Sequence, residues 1–472
     1  MHKGRIFFIL GLVCLLVASF VFWKDTKQED GVTLGAISEV MALIKKESVY
    51  DTSEEQLVEG ALRGIASAIR DPYSTYYSKQ EAQVHKQSLA SERVGVGIEL
   101  SLLNGKFIVV SPVKESPAER AGIRPLDELI QVDDTRIAGK TMSEVMSLIQ
   151  GEEGADVTFV MYRPADDRHL KVTVQRQAMK NTTVKAEVIT VADKPIGYIA
   201  ISLFGESTGE EWVKALQMLK NTHIEGLVVD VRDNPGGYLQ SVAQLMSTIE
   251  AEGKVFAYMQ NNKGELEVLK TASSEQLKQI QEIVKPLPIA VLQNEGSASA
   301  SEVFTGALQD WKRATIIGVT SFGKGTVQQT WALQNGGEVK LSTNKWLTPA
   351  KRWIHQVGIA PDIEVEQHPL FAIETRPITG RFEAGEYSEH VAYAQLVLNE
   401  LGYDAVRQDG YFDAETAKTV AIFRRHYDLH DGNHMDEAFF AKLTEELQRF
   451  KEDEVNDMPL QMGLGYIMHQ LE

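Results

Sequence analysis

Cysteine is almost absent. Cys14 is the only one in 472 residues, so neither an internal disulfide nor a cysteine-rich zinc site can form. Positive charge is also scarce. Lys and Arg total 48 against 66 Asp and Glu, a formal net charge of −18. An acidic chain of pI ≈ 5.2 lacks the basic footprint that a nucleic-acid backbone requires, which excludes nucleic acid as a partner. There is no His-Glu-x-x-His pair for a zinc hydrolase and no Gly-x-Ser-x-Gly elbow. No metal or cofactor is expected. After residue 25 no apolar run long enough to cross a bilayer recurs. With 43% hydrophobic and 24% charged residues, collagen, long coiled coil and wholesale disorder are excluded too.

What is present begins with a membrane address. Ile6 to Trp23 are apolar apart from Ser19, and none is charged. At 1.5 Å per residue the run reaches ~27 Å, enough for the hydrocarbon core. Lys3 and Arg5 precede it, which keeps the N-terminus in the cytoplasm. Residues 1–25 read as an uncleaved anchor or as a signal peptide with a weak site at Val17-Ala18-Ser19. Either reading puts residues 25–472 on the extracytoplasmic side: a single-pass protein of the cell membrane, or a secreted one if the segment is removed.

The remaining length suggests about three domains at ~150 residues each. Residues 31–90 read as helical. Leu34, Ile37, Met41 and Ile44 share one helical face, and Ser53 followed by Glu54 and Glu55 opens a second helix that Asp71-Pro72-Tyr73 closes. This region is expected to be a packing or dimerisation element, which makes a homodimer a candidate assembly. Residues 94–178 alternate short strands with helices at Ser116-Pro117-Ala118 and Thr141–Ile149. Residues 185–366 alternate strands and helices, the pattern of an α/β domain with a largely parallel sheet whose sites lie at strand C-terminal ends. Residues 384–448 form a small helical unit. There Val420, Phe423 and Tyr427 share a face and Arg424 and Arg425 point to solvent. Residues 449–472, acidic and then apolar, receive no assignment.

Chemistry concentrates in three loops of the α/β segment. Asn294-Glu295-Gly296-Ser297-Ala298-Ser299-Ala300-Ser301-Glu302 joins a strand to a helix. The free N–H groups of that helix start can stabilise an oxyanion, and a serine there is equally an ordinary N-cap. Ser321-Phe322-Gly323-Lys324-Gly325-Thr326-Val327-Gln328 sets a lysine between glycines. A lysine can act as base only when neutral, and at a reference pKa of 10.4 roughly one in 2,500 is neutral at pH 7. Burial away from carboxylates increases that fraction, and Phe322 with the glycines suits a tight apolar setting. Gly325 stands where a phosphate-binding loop needs Ser or Thr, which argues against an NTPase. Arg232-Asp233-Asn234-Pro235-Gly236-Gly237 follows a strand, and its glycines can turn N–H groups into a cavity or simply make a tight turn.

Three resemblances follow from these residues. Gly95-Val96-Gly97-Ile98, Ser116–Gly122 and Asp127 with Leu129-Ile130 resemble a PDZ domain. That likeness implies that Gly95, Val96, Gly97 and Ile98 bind a peptide carboxylate, although Leu126 and Asp134 stand where such domains commonly carry glycine. Leu401-Gly402-Tyr403, Asp409-Gly410-x-Phe412, Thr416 and Phe423 resemble the three-helix peptidoglycan-binding module, which implies peptidoglycan as a partner. Across residues 35–366, the Ser297–Glu302, Phe322–Gln328 and Asn234–Gly237 loops resemble the C-terminal processing peptidases, together with Asp71–Tyr76 and Gly358–Asp362. The resemblance implies a multidomain α/β protein: a helical N-terminal region, an α+β PDZ domain, an α/β serine protease core packed by the 71–77 region, and a small all-α C-terminal domain. It further implies that Ser299 is the nucleophile, Lys324 the base and Gln328 the residue that positions the lysine amine. The oxyanion hole falls to Ala300 with Gly236 or Gly237. The implied substrates are proteins with accessible C-terminal or unfolded segments, recognised or gated by the PDZ domain. The alternative class is a catalytically silent scaffold joining membrane, peptide tails and cell wall.

Overall fold

The computed structural model describes residues 29–90, 92–103, 105–113, 116–164, 167–373, 375, 378–404 and 407–472. The apolar run 6–23 lies outside them. Among the described residues no helix is long and apolar enough to cross a membrane. The chain divides into two compact units: residues up to Ala82 with Gln328–Ser342, and Gln83–Val327 with Thr343–Glu472.

In the first unit, the helices Glu29–Glu47 and Glu54–Ser67 occur where the apolar spacing places them. Ser53 caps the second reciprocally. Its Oγ accepts from Gln56 N–H at 3.2 Å while Gln56 Oε1 accepts from Ser53 N–H at 2.9 Å. Beyond Asp71-Pro72 the strand Thr75–Tyr77 pairs antiparallel with residues 338–340, and Tyr76 is buried. Ser74 Oγ donates to Asp71 Oδ2 at 2.5 Å and accepts from Ser342 N–H at 3.0 Å. Gln328 Nε2 donates to Ser342 Oγ at 3.2 Å.

In the second unit, the PDZ segment forms a sheet ordered Ile98–Leu103, Lys106–Pro112, Glu128–Val132, Asp156–Arg163, Arg168–Gln175. Ile98–Leu103 is an edge strand. Ser116 and Thr141 cap the helices Pro117–Arg120 and Met142–Ile149. Gly97 has φ +78°, and a Cβ there would lie 2.3 Å from Ser116 Cβ, so only glycine fits. Buried Arg163 makes a two-pronged contact with Asp127, both bonds 2.7 Å. Where glycine was expected, Leu126 itself adopts φ +69°, and its side chain is exposed. A left-handed L-residue costs about 1–2 kcal/mol and glycine's extra unfolded-state freedom recovers only part of that, so Leu126→Gly is expected to gain about 0.5–1 kcal/mol. Hydrogen exchange across residues 105–113 measures it; faster exchange in the variant would mean the leucine side chain holds the turn.

The α/β core is a six-stranded sheet ordered Val184–Val191, Lys194–Ile201, Gly226–Asp230, Ile289–Gln293, Thr315–Gly318, Ile363–Glu364. All its pairings are parallel except the first. Alternate residues face opposite layers, as strand geometry requires. Leu227, Val229, Ile289 and Val291 join the core that includes Trp212, Leu245 and Phe304, from the helices Thr208–Lys220, Leu239–Ile249 and Ala300–Asp310. Val228, Ala290 and Leu292 point the other way, onto Leu460, Leu464 and Ile467. Those belong to the helix Met458–Leu471, so the unassigned tail is the second cover of the sheet.

In chain order between the last strand and the C-terminal helix come the helices Glu389–Glu400, Ala414–His426 and Glu437–Glu452, packed around Val391, Phe412, Val420, Phe423 and Phe439. Gln395 closes the Asp409-Gly410 turn, accepting from Gly410 N–H at 3.0 Å and donating to Tyr411 O at 2.9 Å. The expectation that Arg424 faces solvent is wrong. Its side chain is buried and donates to Asp436 Oδ1 at 2.8 Å and His430 O at 2.8 Å. Arg425 is exposed as expected. Asp436 is partly buried, which alone would raise its pKa, but Arg424 and the N–H of Phe439 hold it well below the usual carboxylate range.

Candidate active site

The two central strands of the sheet deliver two loops side by side at their C-terminal ends. Gly226–Asp230 leads into Arg232–Gly237, and Ile289–Gln293 leads into Asn294–Ser299. Polar contacts lace the loops together. Ser297 Oγ donates to Val231 O at 2.7 Å, Ser301 Oγ to Asn234 O at 2.9 Å, and Ala298 N–H to the same Asn234 O at 2.9 Å. Asn234 in turn is anchored by its Nδ2, 2.7 Å from Ile201 O. Ser297 and Ser301 are fully buried and committed to this lacing, whereas Ser299 is only half-buried. Of the three serines, the middle one is therefore open to chemistry.

Ser299 stands at the head of helix Ala300–Asp310 with φ 56° and ψ −111°. This left-handed backbone is unfavourable for a residue with a Cβ, and the surroundings must hold it. Glu302 supplies that hold. Its carboxylate is fully buried and accepts from Ser299 N–H at 2.8 Å. The same carboxylate accepts from Ser321 Oγ at 2.6 Å, Gly323 N–H at 2.7 Å and Lys324 N–H at 2.8 Å. One side chain thus ties the serine loop to the lysine loop. The sequence reading missed Glu302, although Ser299-x-x-Glu302 is itself a capping-box signature.

The lysine loop is fixed from its other side by two indoles. Trp346 Nε1 donates to Lys324 O at 2.8 Å and Trp353 Nε1 to Gly325 O at 2.9 Å. The Gly358–Asp362 motif packs beneath it: Ile359 N–H donates to Ser321 Oγ at 2.7 Å, and Ser321 N–H to Ile359 O at 3.2 Å. Lys324 is half-buried. Phe322, expected in a tight apolar setting, is instead exposed, because its N–H reaches Ser297 O and turns the ring outward. Gln328 follows in the strand Thr326–Ala332, its amide held by Ser342 as described above.

Gly236 touches the serine. A Cβ there would lie 2.8 Å from Ser299 Cβ and 2.9 Å from Ala300 N, so any larger residue would displace both. Its own N–H donates to Asn234 Oδ1 at 2.9 Å, and its carbonyl accepts from Phe204 N–H at 2.8 Å. In a trans peptide the next N–H points opposite to that carbonyl, so Gly237 N–H is directed away from Phe204.

Family models match four stretches of the chain: peptidase family S41 over residues 195–365, a PDZ domain over 108–163, the N-terminal domain of the activating protease CtpB over 19–81, and a peptidoglycan binding domain over 387–443. The chain is 37% identical to the carboxy-terminal processing protease CtpB of Bacillus subtilis (strain 168) over 428 residues, covering 91% of this chain and 88% of that one. It is 31% identical over 449 residues to a "Probable CtpA-like serine protease" of Staphylococcus aureus (strain MRSA252), covering 94% and 88%. A solved photosystem II D1 C-terminal processing protease matches with a TM-score of 0.43 and 27% identity over 69% of this chain and 85% of that one.

Proposed function

The chain belongs to the S41 peptidases as a serine-type carboxy-terminal processing protease, and from that premise we propose that Ser299, Lys324 and Gln328 carry its hydrolysis. The observation that carries this reading is the Glu302 carboxylate, which binds the backbones of Ser299 and Lys324 at once. Neutral Lys324 takes the Ser299 hydroxyl proton as Oγ attacks a peptide carbonyl, and it returns that proton to the leaving amine. Water then hydrolyses the acyl-enzyme by the same route. Gln328 orients the amine. The tetrahedral oxyanion is received by Ala300 N–H at the helix start and by Gly237 N–H. Asn234 already takes the Gly236 N–H, which favours Gly237 over Gly236.

Trapping the intermediate tests the nucleophile. Rapid acid quench during turnover of a p-nitrophenyl ester should leave the acyl group on the peptide containing Ser299, mapped by mass spectrometry. An acyl group on any other residue would displace Ser299 from its role. The scaffold reading finds no support beside this family membership.

Substrate capture belongs to the PDZ segment. Gly95, Val96, Gly97 and Ile98 lead into the edge strand, where a peptide's C-terminus can add as a further strand with its carboxylate on the loop. Deleting residues 94–178 is expected to change cleavage of a C-terminally tagged unfolded substrate; identical cleavage would rule out both delivery and gating. Residues 384–448 bring the enzyme to peptidoglycan. Residues 6–23 tether it to the membrane with the catalytic part on the extracytoplasmic side, and the exposed Val40, Leu43 and Ile65 of the N-terminal helices, with Ile69 in the turn that follows, suit a homodimer contact.

A further inference from the structure

We propose that Arg232 and Asp457 are positioning residues for this hydrolysis, and that through them the C-terminal helix holds the root of the turn that supplies an oxyanion donor. The proposal rests on the reading of Ser299 and of the Asn234–Gly237 turn given above. Asp457 caps the helix Met458–Leu471, its Oδ1 accepting from Leu460 N–H at 3.2 Å. The same carboxylate grips Arg232 with both oxygens, at 2.7 Å from Nη1 and 2.8 Å from Nη2. A two-pronged guanidinium–carboxylate pair fixes direction as well as distance. On its other side Arg232 holds Asp230, with Nη2 2.6 Å from Oδ2 and Nε 3.1 Å from Oδ1. Asp230 Oδ1 also accepts from Arg232 N–H at 2.9 Å, and Asp230 Oδ2 accepts from Tyr198 Oη at 2.7 Å. Gln367 Nε2 completes the set on Asp457 at 2.9 Å.

Arg232 is thereby fixed by backbone and side chain together, with all three charged groups nearly buried. Burial alone would favour a neutral guanidine, but the Asp457 and Asp230 carboxylates outweigh it and keep Arg232 charged. A buried ion network of this kind adds little net stability over apolar packing, and the helix already has apolar packing through Leu460, Leu464 and Ile467. What it adds is placement. Two residues beyond Arg232, the Asn234 carbonyl receives Ala298 N–H and Ser301 Oγ, one on each side of Ser299. Between them Asp233 sits at φ 56°, a conformation that the neighbours must impose. Releasing Arg232 loosens the strand side of that constraint and lets the Gly236–Gly237 peptide drift from the oxyanion.

Kinetics of the full chain on unfolded casein test the proposal. Removing a whole oxyanion donor costs about 10²–10³-fold in kcat, so a displaced one should cost about tenfold. Asp457→Asn and Arg232→Lys are each expected to lower kcat about tenfold with KM unchanged, and to slow acylation of Ser299 by a p-nitrophenyl ester by the same factor. Leu464→Ala, which weakens the packing of the same helix, should lower the melting temperature by several degrees yet keep kcat at 25 °C. The proposal is overturned if both clamp variants stay within twofold of the parent, or if Leu464→Ala loses kcat in the same proportion. An acyl group mapped away from Ser299 in the parent protein would instead overturn the underlying site, and this proposal with it.

Discussion

Lys324→Ala is expected to lower kcat for peptide hydrolysis by ~10²–10⁴-fold while KM stays near the parental value. A serine hydroxyl is a weak nucleophile until a base takes its proton. The backbone of Lys324 is pinned independently of its side chain, by Glu302 at the N–H and Trp346 at the carbonyl, so the alanine variant keeps the loop in place. The loss is therefore chemical rather than structural. Lys324→Arg should fail equally, because a guanidinium stays protonated throughout the working range and cannot accept the proton. If the lysine served only as a positive charge, arginine would restore activity. The pH profile gives the sign. If Lys324 is the base, only its neutral amine is active, and kcat/KM of the parent should rise with pH along the acid limb. The residual rate of Lys324→Ala should lack that limb. Stopped assays from about pH 6 to pH 10 would show it, and a variant retaining a tenth of parental activity would place the base elsewhere.

Much of this site was legible because its signals are local. A strand ending in small residues and serines, followed by an apolar helix, marks a strand-to-helix turn whatever the rest of the fold does. The caps at Ser53, Ser116 and Thr141 are of the same kind, each visible from a hydroxyl at the start of a helical spacing. Glu302 was not read because its role depends on the Ser321–Lys324 loop, about twenty residues away, folding back on it. Arg424 was misplaced for a related reason. Its position beside the Phe423 stripe suggests solvent, but Asp436 at the cap of the next helix draws it inward. The tail carried a usable signal that went unread: Leu460, Leu464, Ile467 and Leu471 are spaced four, three and four apart. What it covers could not be read, since one face of a parallel sheet accepts any apolar helix that returns to it.

The other large effect is expected at Glu302. Glu302→Ala should cost at least about 3 kcal/mol of stability, because it strands three N–H donors and the Ser321 hydroxyl in a buried place. Solvent cannot easily replace the lost acceptor, since the carboxylate is fully buried. The rate should fall further than the stability suggests. Without its N–H bond Ser299 is free to leave φ 56°, and a displacement of about 1 Å at a reacting atom can cost ~10²-fold. Glu302→Gln separates shape from charge. The amide keeps one acceptor oxygen but turns an NH2 toward donors that the other oxygen had served, so two like groups face each other. It should therefore resemble alanine more than the parent in both urea midpoint and kcat. Glu302→Asp keeps both oxygens on a shorter arm and should recover part of each. If glutamine matched the parent within about 1 kcal/mol and threefold in kcat, the carboxylate would be packing rather than a brace. The serine and lysine loops would then owe their alignment to Trp346 and the Gly358–Asp362 segment beneath them.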